Sequence, residues 1–118
     1  SIGVRDMAVA KRFYDAVLQP LGYTCLSDGA DSLGYGGADI SLWISLVNRP
    51  VPPDERSGLH FCFAAGSREG VDAFHAGALR MGGTDNGSPG LRADYGPGYY
   101  AAFVIDPDGY RIEAHHDG

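Results

Sequence analysis

Two side chains stand out as chemistry held in apolar surroundings. Glu113 sits between Ile112 and Ala114 in a short apolar run, with His115 and His116 directly after it, and His60 opens the run "HFCFAA". A carboxylate inside a short buried strand is costly unless it is paired or bound to a metal. Read as strands, the two runs put His60 on one face with Cys62 and Ala64, and Glu113 on one face with Arg111 and His115. An imidazole nitrogen and a carboxylate oxygen together suit divalent Fe, Mn, Ni, Zn or Co. The plainer readings are that His60 is structural and that Glu113 lies on a solvated face or pairs with Arg111.

A second group lies in "TDNGSPGLRADYGPGYY", a stretch whose length and glycine content read as a long loop of the kind that carries function. Arg92 offers a planar fork for a carboxylate or phosphate-like oxygen, and Tyr95, Tyr99 and Tyr100 offer phenolic donors. Trp43 and Tyr35, from the first half of the chain, are candidates for the opposite wall of a substrate cleft. Arg92 has two alternative partners in Asp85 and Asp94, and Trp43 and Tyr99 fit a sheet core equally well. His115 is placed to orient Glu113, His116 to point away, and His75 to be structural.

The elements that must position these residues are legible from periodicity. Asp6 is a helix cap, followed by the face Ala10, Phe13, Tyr14, Val17, Leu18 and Leu21, with Pro20 near the end and Gly22 closing it. Ser67 caps a second helix with the face Val71, Phe74, His75, Ala78 and Leu79, stopped by Gly82 and Gly83. The pairs Asp6 and Ser67, Phe13 and Phe74, and Leu18 and Leu79 are each 61 residues apart, which reads as an internal repeat. Strands are expected at Ser1–Val4, Thr24–Ser27, Ser32–Gly36 and Ile40–Val47, then at Leu59–Ala65, Tyr99–Ile105 and Tyr110–His115. The last two are joined by the turn "DPDG". The expectation is one α+β domain over residues 1–118, built from two βαβββ units. These units, about 1–48 and about 59–118, are joined by a linker at about 49–58. They should form a paired, partly closed mixed sheet with the helices outside. The repeat offset puts the counterpart of His60 two positions before Ser1, and the opening "SIGV" reads as mid-strand, so further residues are expected upstream.

Composition bounds the partners. The chain has 118 residues, a net charge of −6 and only nine Lys and Arg, which argues against nucleic acid or an anionic membrane. No apolar run approaches the ~20 residues of a membrane span, and no signal peptide is seen. Cys25 and Cys62 are isolated thiols without a CxxC motif. The expectation is a soluble cytoplasmic protein.

"RFYDAVLQPLGY", the ending "AFVIDPDGYRIEA" and the repeated βαβββ pattern resemble the vicinal oxygen chelate superfamily. That group includes glyoxalase I, bleomycin resistance proteins, extradiol dioxygenases and fosfomycin-resistance thiol transferases. Within it the chain is most similar to bacterial glyoxalase-like, lactoylglutathione-lyase-related proteins, through the discontinuous run from Asn86 to Ala114. The resemblance implies metal ligands on the first and last strands of each unit, here His60 and Glu113, and it implies a homodimer. Aligning Gly37 with Gly109 puts Ser41 at the last-strand position of unit one, with Leu42 and Trp43 no better as ligands. This departs from glyoxalase I, in which a metal-bound Glu at that position moves a proton, and is more similar to the fosfomycin-resistance or dioxygenase pattern.

Two functions follow as expectations. The first is a metal-dependent lyase, isomerase, transferase or dioxygenase. In it Glu113 is ligand and proton carrier, and Arg92 with Tyr95 or Tyr100 orients a small oxygenated substrate. The second is a metal-free binding protein of the bleomycin-resistance type, in which Trp43, Tyr35 and the loop tyrosines hold a drug or metabolite.

Overall fold

The computed structural model describes residues 1–50 and 55–118. The linker expected at 49–58 therefore lies partly outside the described residues. The elements run β1 (Ile2–Val4), α1 (Met7–Leu18), β2 (Thr24–Asp28), β3 (Ser32–Gly36) and β4 (Ile40–Leu46) in unit one. Unit two has β5 (Phe61–Ala64), α2 (Arg68–Arg80), β6 (Thr84–Leu91), β7 (Tyr99–Ile105) and β8 (Arg111–Asp117). The strands form two separate four-stranded mixed sheets, ordered β1-β4-β3-β2 and β5-β8-β7-β6. In each, the first strand pairs in parallel with the last, and the remaining pairs are antiparallel.

Both helices start as their sequences dictate. Asp6 accepts from the Val9 amide and Ser67 from the Gly70 amide, both at 3.0 Å. The expected face of α1 is wholly buried, and in α2 Val71, Phe74 and Ala78 are fully buried. Leu79 is a correction: it is 45% exposed, whereas Leu18 is buried. Residue 79 follows Ala78 by one step of about 100° around the helix, which turns it off the buried stripe. The repeat thus holds for the caps and for Phe13 and Phe74, but not for Leu18 and Leu79. The helices meet closely at Gly77, where an added Cβ would lie 2.9 Å from the Ala16 carbonyl oxygen. That contact fits glycine alone.

A further correction concerns Thr84–Leu91, which is a strand rather than the start of a loop. It is an edge strand with two register irregularities, near Gly87, and mostly exposed side chains. Edge position and bulging tolerate Pro89 and the glycines, and they erase the alternation that marks a strand in sequence.

The units share one apolar core, containing Phe13, Tyr14, Ile44, Phe74 and Ile112. Polar links also cross between them. Tyr14 donates to Asp106 Oδ2 at 2.5 Å, Tyr110 to the Gly3 carbonyl at 2.8 Å and Tyr23 to the Ala64 carbonyl at 3.0 Å. Asp106 also accepts from the amides of Asp108 and Tyr110, which fixes the "DPDG" turn and hence the register that carries Glu113. Each sheet lays one face on the core, through Leu42 and Ile44 in β4 and Ile112 and Ala114 in β8. By alternation Trp43, Glu113 and their same-face neighbours stand on the opposite, open faces.

Candidate functional site

On the open face of unit two, β8 presents Arg111, Glu113 and His115, and β7 presents Tyr99 and Phe103, with Phe103 directly opposite Glu113 in register. Cys62 of β5 stands beside Glu113 from the other side. Of these, Arg111, Glu113, Tyr99 and Phe103 floor and wall a cleft of about 520 Å³, closed further by Leu59, His60, Asn86 and Tyr95. Among the described residues its lining runs from Gly58, at the end of the linker, into unit two.

Glu113 is the polar centre of the cleft and is 4% exposed. Tyr99 donates its hydroxyl to Oε2 at 2.5 Å, and His60 Nε2 lies 3.1 Å from Oε1. A carboxylate only accepts, so His60 carries its proton on Nε2 in this pairing. Burial, then the bond to Glu113, pushes the Tyr99 hydroxyl above the ordinary phenol range and keeps it a donor. The Cys62 thiol is pushed up to about 11, by burial first and by the Glu113 charge second. His115 stacks flat on Tyr99, with ring centres 5.0 Å apart and planes 7° apart, and Tyr95 meets Tyr99 edge-on at 5.4 Å. His115 therefore braces the tyrosine rather than Glu113 itself. Its Nδ1 is buried without a hydrogen-bond partner among the described residues.

Of the residues singled out in the sequence, the structure brings together His60, Glu113, Tyr95 and Tyr99. Arg92 stands at the rim: its guanidinium lies over the Phe103 ring at 5.3 Å and donates to the Ser88 carbonyl at 2.7 Å. Asp85, one of its two alternative partners, instead accepts from His75 at 2.9 Å. Tyr100 is on the core-side face of β7, donating to Asp72 of α2 at 2.5 Å beneath Arg68, so it is not with Glu113. Tyr35 is likewise turned inward, 1% exposed and bonded to Asp15 of α1 at 2.7 Å. Both placements follow from strand alternation: Tyr100 has the opposite parity to Tyr99, and Tyr35 shares the face of its cross-strand neighbour Leu42. His116 turns away as expected and pairs with the Ala65 carbonyl at 3.0 Å.

Trp43 is on the open face of unit one, 43% exposed and outside the cleft lining. The register gives it a meaning the sequence alignment did not. In unit two Ala64 pairs with His115; in unit one Gly3, 61 residues before Ala64, pairs with Ser45. Ser45 is thus the counterpart of His115, and Trp43, not Ser41, the counterpart of Glu113. Gly37 and Gly109 mislead as anchors because the turn between β3 and β4 is tighter and irregular at Gly36. The indole lies over Gly34, where a Cβ would come within 3.0 Å of its ring.

The lining residues Phe103 and Asn86, and Cys62 beside Glu113 in register, were not singled out as candidates. Phe103 was readable, because it shares strand parity with Tyr99. Asn86 was hidden by reading β6 as a loop. Whether the donors fit a catalytic metal can be tested on this geometry. His60 and Glu113 converge, but among the described residues no three of His, Cys, Asp and Glu form a group able to hold an ion. Catalytic centres of this type take about three protein ligands. With tryptophan at the unit-one position, the described residues do not by themselves fit one.

Comparison with known proteins agrees with this architecture. A glyoxalase/bleomycin resistance protein of Albidiferax ferrireducens T118 is 33% identical over 99% of this chain and 94% of its own, with a TM-score of 0.84. A putative glyoxalase of Bacillus halodurans is 26% identical over 98% and 90%, with a TM-score of 0.72. A family enzyme of Burkholderia phytofirmans PsJN, 16% identical over 99% and 94% with a TM-score of 0.72, shows the shared fold. No curated protein matches the chain. The family model for the Glyoxalase/Bleomycin resistance protein/Dioxygenase superfamily matches residues 1–114, and the chain belongs to that superfamily.

Proposed function

We propose that this chain binds a small organic molecule in the unit-two cleft, as a binding protein of the bleomycin-resistance type. The observation that carries the reading is Glu113. A nearly fully buried carboxylate, with one donor already fixed on each oxygen, forms the floor of an aromatic-walled cleft of about 520 Å³. Apolar walls with a few fixed polar groups are the usual make-up of a small-molecule site. In this reading Tyr95, Tyr99 and Phe103 supply burial, Glu113 the polar anchor, and Arg92 a cationic rim. Exposed Leu26, Trp43 and Leu91 support the homodimer implied by the family resemblance, because they leave apolar surface for a second copy to cover. Two free thiols support a reducing, cytoplasmic setting.

The second reading is a divalent metal held by His60 and Glu113 with a third donor from outside the described residues; their convergence at 3.1 Å favours it. One experiment separates the two. Thermal unfolding of the wild type, His60→Ala and Glu113→Gln is followed across a library of small aromatic compounds, with and without a chelator. Stabilisation by library members that survives chelation and is lost in Glu113→Gln supports the binding protein. Stabilisation by Mn, Fe, Ni, Zn or Co that is lost in both variants would replace it with the metal reading.

A further inference from the structure

The first register break in β6 falls on the pair Asn86-Gly87. Asp85 faces Val104 and Gly87 faces Phe103, so Asn86 is the extra residue between them, with no partner in the ladder. It is exposed, on an edge strand that pairs only with β7. Among the described residues nothing holds its side-chain amide. Gly87 is kept as glycine by the fold: its φ is 152°, and an added Cβ would lie 2.9 Å from Phe103 Cδ2. The backbone nitrogen that follows Asn86 therefore has no side chain beside it to hinder attack on the Asn86 amide carbon. Exposed edge strands open locally at low cost, which frees a bulged residue to turn into that geometry.

We propose that Asn86 is a site of spontaneous deamidation, gated by Asp85. The Gly87 nitrogen gives up its proton to solvent base and bonds to Asn86 Cγ. The Cγ–Nδ2 bond breaks, and ammonia leaves with a proton from water, closing a cyclic imide. Water then opens the ring at either of its C–N bonds. One opening gives aspartate, and the other gives isoaspartate, in which the main chain runs through Cβ and Cγ. The net change is amide and water to acid and ammonia, with no oxidant or reductant. The gate is a hydrogen bond: the Gly87 amide donates to Asp85 Oδ1 at 3.0 Å, and His75 holds the same oxygen at 2.9 Å from α2. While that bond is closed, the attacking nitrogen is committed and keeps its proton. Asn86 lines the cleft that Glu113 floors, so either product sets a second carboxylate in its wall.

Incubation of the full chain at pH 8, beside a free peptide of residues 84–89, tests this by intact mass and by peptide mapping that separates aspartate from isoaspartate. Residue 86 of the folded chain is expected to convert to both products, several-fold slower than the peptide and faster as pH rises. Asn48, which precedes Arg49, should stay intact over the same time. Asn86→Ala should remove the conversion. Asp85→Ala, at an exposed side chain, should bring the rate several-fold closer to that of a peptide carrying the same substitution. Should Asp85→Ala not fold, hydrogen exchange in the wild type must show the Gly87 amide protected relative to the peptide. An Asn86 that stays intact in the folded wild type through complete conversion of the peptide overturns the site. Equal rates in wild type and Asp85→Ala, each relative to its own peptide, or an unprotected Gly87 amide, overturn the gate.

Discussion

The contact between Tyr14 and Asp106 joins α1 of unit one to the turn that sets the register of β8, and Tyr14→Phe removes it without changing shape. Asp106 is 4% exposed and keeps two backbone donors, from Asp108 and Tyr110, when the hydroxyl is gone. A hydrogen bond to a buried charged group contributes about 1.5–3 kcal/mol, and the two remaining donors place the loss near 2 kcal/mol. With an unfolding entropy of about 2.1 cal/mol/K per residue, a chain this long should lose about 8 °C in Tm. The loss should depend on pH. Burial, the largest influence, raises the Asp106 carboxyl above its ordinary range, while Tyr14 and the turn amides pull it back down. A raised carboxyl contributes stability below its unfolded value of about 3.9 that is lost as pH rises through the folded value. Tyr14 offsets that loss by stabilising the charged form. Tyr14→Phe should therefore cost most at pH 7, and below about pH 3.5 only the ~1 kcal/mol of a neutral bond. Urea unfolding of both proteins at the two pH values measures this. A gap below about 0.5 kcal/mol at pH 7, or one equal at both pH values, would refute the reasoning.

Three further outcomes are expected. Gly34→Ala should push the indole of Trp43 off the sheet and red-shift the emission of this single tryptophan, because the new Cβ meets the indole at 3.0 Å and Ile40 Cδ1 at 2.7 Å. Cys62, with its thiol pushed up to about 11, should react slowly with iodoacetamide at pH 8, and Glu113→Gln should speed it several-fold by peptide mapping. Leu79→Lys should change stability by no more than about 0.5 kcal/mol, whereas Phe74→Ala should cost about 3–5 kcal/mol in denaturant titration.

The sequence reveals most where local periodicity and the fold agree. Asp6 and Ser67 cap as expected because a cap is a three-residue affair, and the face of α1 is buried as its spacing demands. The β6 strand stayed hidden because an irregular edge strand has no alternation to read. At the site, His60 and Glu113 were found through cost: a carboxylate among apolar residues requires a partner, and His60 and Tyr99 supply it. Tyr35 and Tyr100 were misplaced by composition, since an aromatic side chain suits a core as well as a cleft. Strand parity relative to Leu42 and Tyr99 decides each case. The equivalence of Trp43 with Glu113 depends on hydrogen-bond register, which turn lengths alone do not specify.

The most direct test of a metal-free binding cleft is the metal content of the protein purified without chelator or affinity tag, by mass spectrometry, after adding back Mn, Fe(II), Ni, Zn or Co. The account predicts far less than one ion per chain and no difference between the wild type and His60→Ala. About one ion per wild-type chain, lost in both His60→Ala and Glu113→Gln, would contradict it and make Glu113 a metal ligand.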